Sequence, residues 1–212
     1  MKTAECLVVC VVILTGVWET PLSARQAKQK TQAGAVQGGP TQVSDQVPKF
    51  NMDYFVGEWQ FEWIAPDSPL GEGGPITGTE SVKKVWDGRF YEIAIKGEGR
   101  DGPFTGVGIM SYLDTPAGQY VTKYEVTHGL ALLKAGVLGG DPGGNYNHFW
   151  ETPPFQLNGK TIKLEGRSSF TSPAAYRVIM RISIDGAASA SLGTMYYTRQ
   201  PSSKRPASGA QY

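Results

Sequence analysis

The sequence predicts an all-β protein built as a single antiparallel β-barrel of about 8–10 strands. Three observations predict it: segments in which apolar and polar residues alternate, dipeptides suited to tight turns between them, and a single short helix candidate at residues 51–55. The clearest segment is residues 55–63, Phe-Val-Gly-Glu-Trp-Gln-Phe-Glu-Trp, in which every second residue is aromatic or glycine. A period of two is typical of a strand with one buried face, so Glu58 and Glu62 are expected to face solvent.

Turn signals divide the rest of the domain into further strands. Asp-Gly at 87–88 and 185–186 and Asn-Gly at 158–159 favour the positive φ of tight hairpins. The predicted strands after the first span residues 81–86, 89–96, 104–113, 119–128, 146–151, 161–169, 176–184 and 191–199. The Gly-rich segment 129–144 predicts either one more strand with a hairpin loop or a lid at the barrel mouth.

The two ends of the chain predict segments outside the barrel, which spans residues 48–200. Residues 1–24 combine Lys2, an apolar run at 6–17 and small residues at 23–24, a pattern typical of a cleaved secretory signal peptide. An uncleaved membrane anchor is the alternative. Residues 25–47 and 201–212 are poor in large apolar side chains and predict a disordered linker and a disordered tail. We therefore expect a secreted or periplasmic protein without an integral membrane span in its mature form.

Composition argues against several classes of function. Both cysteines, Cys6 and Cys10, lie in the predicted signal peptide, so the mature chain would hold no disulfide, thiolate metal site or cysteine nucleophile. Removing Lys2, Glu5 and Glu19 from a chain of formal charge +1 leaves +2, and the basic residues are scattered. Such a balance predicts no nucleic-acid binding. The sequence also lacks the Gly-x-Ser-x-Gly elbow of serine hydrolases.

A tyrosine-rich set of residues predicts a site inside the barrel. One face of strand 119–128 would carry Tyr120, Tyr124 and His128, while strands 176–184 and 191–199 contribute Tyr176 and Tyr197. Buried tyrosines need hydrogen-bond partners, so such an interior is either a polar network or the lining of a cavity. We therefore predict a non-enzymatic barrel that binds a small apolar or amphipathic ligand. The candidate ligand-binding residues are Tyr120, Tyr124, His128, His148, Tyr176 and Tyr197.

The two histidines of the chain carry the alternative function. His128 would share a face with Tyr124, and His148 would share one with Trp150. If both point inward on neighbouring strands, they could ligate a metal or a haem, or serve an enzyme. No cofactor is predicted otherwise, and the sequence does not predict the oligomeric state. A further alternative is a structural or interaction domain with a solid core.

Two family resemblances rest on these residues. Gly57-Glu58-Trp59 on the first strand and Arg199 on the last resemble the signature of the calycin superfamily, which includes lipocalins and fatty-acid-binding proteins. This resemblance implies that Gly57, Trp59 and Arg199 close the barrel, with the guanidinium packed across the indole in a cation–π contact.

The closer resemblance covers residues 50–200. The segments 55–59, 86–90 (Trp-Asp-Gly-Arg-Phe), 102–108, 112–114, 119–121 and 196–199 resemble the DUF1579 family of bacterial proteins of unknown function. This resemblance implies a lipocalin-like barrel, and it implies no established activity.

Overall fold

The computed structural model describes residues 47–201. The strands are β1 Gly57–Ala65, β2 Gly74–Val85, β3 Phe90–Gly99, β4 Gly102–Thr115, β5 Gly118–Thr127, β6 Leu130–Gly140, β7 Tyr146–Glu151, β8 Phe155–Leu157, β9 Lys160–Ser172, β10 Ala175–Ile184 and β11 Ala190–Arg199, with short 3₁₀ helices at Met52–Phe55 and Trp86–Gly88. Within this region no helix is long and apolar enough to cross a membrane. The predicted signal peptide, almost all of the linker and the tail lie outside the described residues.

Ten of these strands close into one antiparallel barrel, which confirms the predicted fold class. Neighbouring strands pair in chain order from β1 to β7, β7 then pairs with β9, and β10 and β11 lead back to β1. The short β8 continues β7 along the same edge of β9. The interruption is Thr152-Pro153-Pro154, because proline has no N–H to donate to the ladder.

Alternation along the strands decides which side chains reach the interior. In β1, Trp59 and Phe61 are buried while Glu58 and Glu62 are exposed, as predicted. Segment 129–144 forms β6 and the turn that follows it, so the strand-and-hairpin interpretation is right and the lid interpretation is wrong. Several strands are longer than predicted; β2, for example, begins at Gly74 rather than at residue 81, whereas β7 has the predicted bounds.

Trp59 and Arg199 meet where the first and last strands pair. The two residues are register partners, and the guanidinium carbon lies 4.2 Å from the centroid of the Trp59 ring. The same guanidinium donates hydrogen bonds to the carbonyls of Val56, at 2.7 Å, and Tyr54. Gly57 has φ of 125°, and a Cβ there would lie 3.0 Å from Nη1 of Arg199. The predicted contact between guanidinium and indole is therefore present, and glycine makes room for it.

Aromatic side chains fill one end of the barrel, which we term the closed end. The helix Met52–Phe55 lies across it, and the hydroxyl of Tyr54 donates to the carbonyl of Ser172 at 2.8 Å. The clustered rings have centroids 4.8–6.2 Å apart and belong to Phe50, Tyr54, Phe55, Trp59, Phe170 and Tyr176. The opposite end, which we term the open end, has turns at residues 66–73, 100–101, 128–129 and 185–189.

Candidate ligand-binding cavity

A cavity of about 290 Å³ occupies the open end of the barrel. Its wall is mainly apolar and includes Phe61, Trp63, Ile95, Phe104, Leu132 and Leu192. Pockets for small molecules are mostly apolar and measure roughly 300–1,000 Å³. The cavity therefore has the character of a ligand pocket and lies near the lower limit of that size range. Its presence shows that the interior of the barrel is not filled by its own side chains.

The connection between β1 and β2, residues 66–73, borders the mouth of this cavity. Leu70 on this loop packs against the hydrophobic core. The carboxylate of Glu72 lies 3.0 Å from Nε of Arg100 on the neighbouring turn, and Arg100 also donates to the carbonyl of Gly73 at 3.4 Å. The mouth is thus bordered by a loop that this ion pair ties to the adjacent turn.

Four charged side chains cross the barrel at the inner end of the cavity, and we call them the charged layer: Glu80, Lys123, Glu125 and Lys134. Glu80, Glu125 and Lys134 form the floor of the cavity, and Lys123 lies on the far side of the layer. Nζ of Lys123 lies 3.0 Å from Oε2 of Glu80 and 3.0 Å from Oε2 of Glu125. Nζ of Lys134 lies 3.3 Å from Oε1 of Glu125. Glu80 is on β2 and Lys123 on β5, two strands that are not neighbours in the sheet. The chain of ion pairs therefore crosses the interior of the barrel.

Within the charged layer, Lys123 and Glu125 keep their charges at neutral pH. Burial alone would lower the pKa of Lys123, but the carboxylates of Glu125 and Glu80 raise it above its usual value. Burial alone would raise the pKa of Glu125, but the ammonium groups of Lys123 and Lys134 hold it well below its usual range. Each ion thus depends on its neighbours, since an isolated charge in this interior would lose its solvation without compensation.

A second cavity of about 100 Å³ lies on the other side of the charged layer, toward the closed end. Glu80, Glu125 and Lys134 line both cavities. His148 lines the second cavity and not the larger one, and its Nε2 has no hydrogen-bond partner among residues 47–201. Burial lowers the pKa of His148 to about 4, although its ring is hydrogen-bonded to the backbone of Gly136. The ring is therefore neutral at pH 7, and Nε2 offers an unpaired acceptor to this cavity.

Tyr176 and Tyr197 are placed as the sequence predicts. Both are buried, their rings stack with centroids 4.3 Å apart, and both line the second cavity. Tyr197 also lines the larger cavity. These two tyrosines therefore belong to the interior, and Tyr197 lies at the boundary between the two cavities.

Tyr120 and Tyr124 lie on the outside of the barrel, so the prediction that they face inward is wrong. They are 40% and 45% exposed, whereas Val121 and Glu125 of the same strand are buried. The sequence interpretation placed the more apolar face of β5 inside, as is usual for a half-buried strand. In this strand the apolar face is outside, because the inward positions carry the charges of the layer.

His128 and His148 do not come together. His128 is the first residue of the two-residue turn between β5 and β6, with φ of 50°, and its ring packs on Phe104 with centroids 3.8 Å apart. It borders the mouth of the larger cavity, whereas His148 lines the second one. Among residues 47–201 no three His, Cys, Asp or Glu side chains are grouped so that they could hold a metal ion. The expectation of a joint two-histidine site is therefore not met.

Sequence reasoning missed the charged layer. Lys123 and Glu125 stand two residues apart in a predicted strand, a spacing that places both on one face. Lys134 lies in the next strand, where it pairs in register with Lys123. That pattern indicates that the charges share a face but not that this face is inside, because Glu80 is distant in sequence and its approach across the barrel depends on closure of the whole sheet.

Residues 46–199 match the model of DUF1579, described as a protein of unknown function. No curated protein matches the chain.

Similar solved structures include a de novo designed fluorescence-activating β-barrel, at 19% identity and a TM-score of 0.38, covering 70% of this chain and 95% of that chain. A second is EF1p2_mFAP2b bound to DFHBI, at 18% identity and a TM-score of 0.38, covering 70% of this chain and 95% of that chain. A third is a redesigned β-barrel, at 19% identity and a TM-score of 0.38, covering 70% of this chain and 94% of that chain.

Proposed function

The chain belongs to the DUF1579 family, and we propose that this member binds a small amphipathic ligand inside its barrel. The observation that carries the proposal is a cavity with apolar walls that begins at the open end and ends on the charged layer. Apolar walls favour an apolar ligand body because they remove its surface from water. Buried polar groups at the floor favour a polar group at the inner end of the ligand, because such groups fix orientation in small-molecule sites.

Lys134 is the residue best placed to hold the polar end of the ligand. Its ammonium has three donors, and its one hydrogen bond within the described region is the 3.3 Å contact with Glu125. The ammonium also lies 5.4 Å from the centroid of the Trp150 ring, which lines the same cavity. In contrast, Lys123 lies 3.0 Å from each of two carboxylates. We therefore infer that the ligand presents a hydrogen-bond acceptor, such as a carboxylate or sulfonate, to Lys134.

A matched pair of variants on β11 tests whether the cavity is the site. Met195 points into the cavity and neighbouring Tyr196 is exposed on the outer face. With 8-anilinonaphthalene-1-sulfonate as the fluorescent probe, Met195→Trp should weaken binding by roughly tenfold or more, because the added ring fills the space. Tyr196→Trp should bind the probe like the wild type. No binding by the wild type, or equal loss in both variants, would contradict a site in this cavity.

The role of Lys134 is tested by comparing a charged probe with an uncharged probe that has the same aromatic rings. Lys134→Met should weaken binding of 8-anilinonaphthalene-1-sulfonate by about tenfold and leave binding of uncharged N-phenyl-1-naphthylamine nearly unchanged, since only the first probe offers an acceptor to the ammonium. Lys83→Met, on the exposed side of β2, is the matched control. If the two probes lose affinity equally, Lys134 supports the cavity wall and does not bind the polar group.

The other functions predicted from the sequence have less support. A haem, metal or enzyme site built on His128 and His148 would need both histidines at one cavity, and they line different ones. A solid-core structural domain is at odds with two internal cavities. Export remains a prediction from residues 1–24, and we expect N-terminal sequencing of the protein recovered outside the cytoplasm to begin at residue 25.

A further inference from the structure

The outward residues of β4, β5, β6 and β7 form a continuous apolar surface. Its most exposed members are Leu113, Val107 and Phe149, at 71%, 62% and 58% exposure. Tyr120 and Tyr124 lie among them on β5. We call this surface the apolar face. Singly exposed apolar residues are ordinary on a protein surface, whereas a continuous group of them marks an interaction site.

The strand register shows that the apolar face is continuous. One row across the sheet joins Leu113, Tyr120, Val137 and Phe149, each the register partner of the next. A second row joins Ile109, Tyr124 and Leu133, and one further row lies between it and the first. The middle row contains Ser111 and Thr122, whose hydroxyls hydrogen-bond to each other at 2.9 Å. The two hydroxyls of the middle row are thus paired with each other.

Charged residues border the apolar face and do not enter its centre. On one side β3 carries Glu92 and Lys96 on its outer surface. On the other side Glu151 of β7 and Arg167 of β9 are exposed, and Arg167 lies over the Phe149 ring at 5.5 Å. In the described part of the chain, the outward positions of β4, β5 and β6 between these borders carry no charge. An apolar centre with a polar rim is the usual anatomy of a protein–protein interface.

We propose that the apolar face binds the apolar face of a second copy of this chain, forming a twofold symmetric dimer. The face spans four strands about 4.8 Å apart over a length of about seven residues, of which every second one points outward. Its dimensions are therefore roughly 20 Å by 25 Å, or about 500 Å² in projection. A standard interface covers about 800 Å² on each partner, and weaker associations cover less. The face with its rim therefore suits a weak, concentration-dependent dimer, and a twofold axis lets one surface serve both partners.

The rim favours a protein partner over a lipid surface. The rim also includes Glu98 on β3 and both Lys163 and Glu165 on β9. Its acidic residues are at least as numerous as its basic ones, so it offers no net attraction to anionic lipids, which recruit clusters of Lys and Arg. The same mixture can pair across a twofold interface, where each basic side chain has acidic residues of the partner rim available to it. The apolar face is outside the barrel and the cavity is inside, so dimerisation is independent of ligand binding.

Sedimentation velocity of the purified protein at increasing concentration tests the dimer. The wild type should self-associate, and Tyr124→Glu should weaken the association by roughly tenfold or more, because twofold symmetry brings the two new carboxylates into one apolar interface. Leu133→Lys should do the same. Ile64→Glu is the matched control, since Ile64 is exposed on the outer face of β1, and it should dimerise like the wild type. Unchanged melting temperatures would show that both Tyr124→Glu and Leu133→Lys fold.

Three results would overturn the proposal. The first is a wild type that stays monomeric up to about 1 mM, the concentration at which even a very weak dimer forms. The second is association of Tyr124→Glu and Leu133→Lys equal to that of Ile64→Glu. The third is flotation of the wild type with vesicles of phosphatidylcholine and phosphatidylglycerol that Tyr124→Glu abolishes, because this would assign the apolar face to a membrane.

Discussion

Strands β1 and β5 both alternate aromatic and charged residues, but they turn opposite kinds of side chain toward the barrel interior. In β1 the aromatic Trp59 is buried and Glu62 is exposed. In β5 the charged Lys123 and Glu125 point inward and the aromatic Tyr124 is exposed. Alternation therefore defines two faces of a strand without defining which of them is inside.

The surroundings of each strand account for the difference. Trp59 lies at the closed end, where the rings of Tyr54 and Tyr176 and the guanidinium of Arg199 surround it. The inward face of β5 instead meets Glu80 from across the barrel and Lys134 from the next strand. A buried charge is tolerated where an opposite charge lies within hydrogen-bond distance, and it is very costly elsewhere. Each orientation is therefore stable only in the completed barrel.

The largest expected effect tests the β1 side of this comparison. Trp59→Ala should lower the free energy of unfolding by roughly 3–5 kcal/mol, because it removes a fully buried indole and leaves the Arg199 guanidinium without its ring. Urea denaturation followed by circular dichroism measures this change. An unchanged midpoint would mean that the contact between Trp59 and Arg199 does not hold the first and last strands together.

The matching test on β5 removes the central charge of the layer. Lys123→Met should lower the free energy of unfolding by roughly 3 kcal/mol, because Glu80 and Glu125 would remain buried without their shared partner. The same denaturation experiment with exposed Lys83→Met should show a change within about 0.5 kcal/mol. Equal effects of the two substitutions would contradict an interior position for Lys123.

His148 makes the interior sensitive to acid. Its pKa falls from 6.5 to about 4 in the folded protein, so between these values the unfolded chain binds a proton that the folded chain does not. The contribution of the neutral ring to the free energy of unfolding is fully present above pH 6.5 and is lost as the pH falls toward 4. Denaturation at pH 7 and pH 5 should show the wild type losing about 2 kcal/mol more than His148→Gln. Losses of the same size in both proteins would place His148 in contact with solvent.

The smallest expected effect compares the two faces of β5 directly. Val121→Ala should cost roughly 1–2 kcal/mol because it leaves a void in the core, whereas Tyr124→Thr should change the free energy of unfolding by less than about 0.5 kcal/mol. Denaturation at a low protein concentration keeps any dimer from contributing to the second value. A larger effect for Tyr124→Thr than for Val121→Ala would support the sequence prediction that Tyr124 points into the barrel.

Much of the fold followed from local pattern and turn chemistry. Asn158 and Gly159 both have positive φ, as their predicted hairpin turn requires, and Tyr176 and Tyr197 are buried as their strands indicated. The candidate site was predicted less well. Tyr124 was expected in the cavity and lies outside it, while Lys134, absent from the prediction, lies at the cavity floor.

The sequence by itself determined most of the strands, the tight turns between them and the contact between Trp59 and Arg199, because these follow from a period of two, turn residues and a short family signature. Only the tertiary structure decided that β5 turns its charges inward. That choice depends on Glu80, which is 43 residues from Lys123 in sequence and 3.0 Å from it once the barrel closes. It also depends on Lys134 on the next strand. Since a buried charge is stable only beside its partners, no local pattern could have assigned the faces of β5.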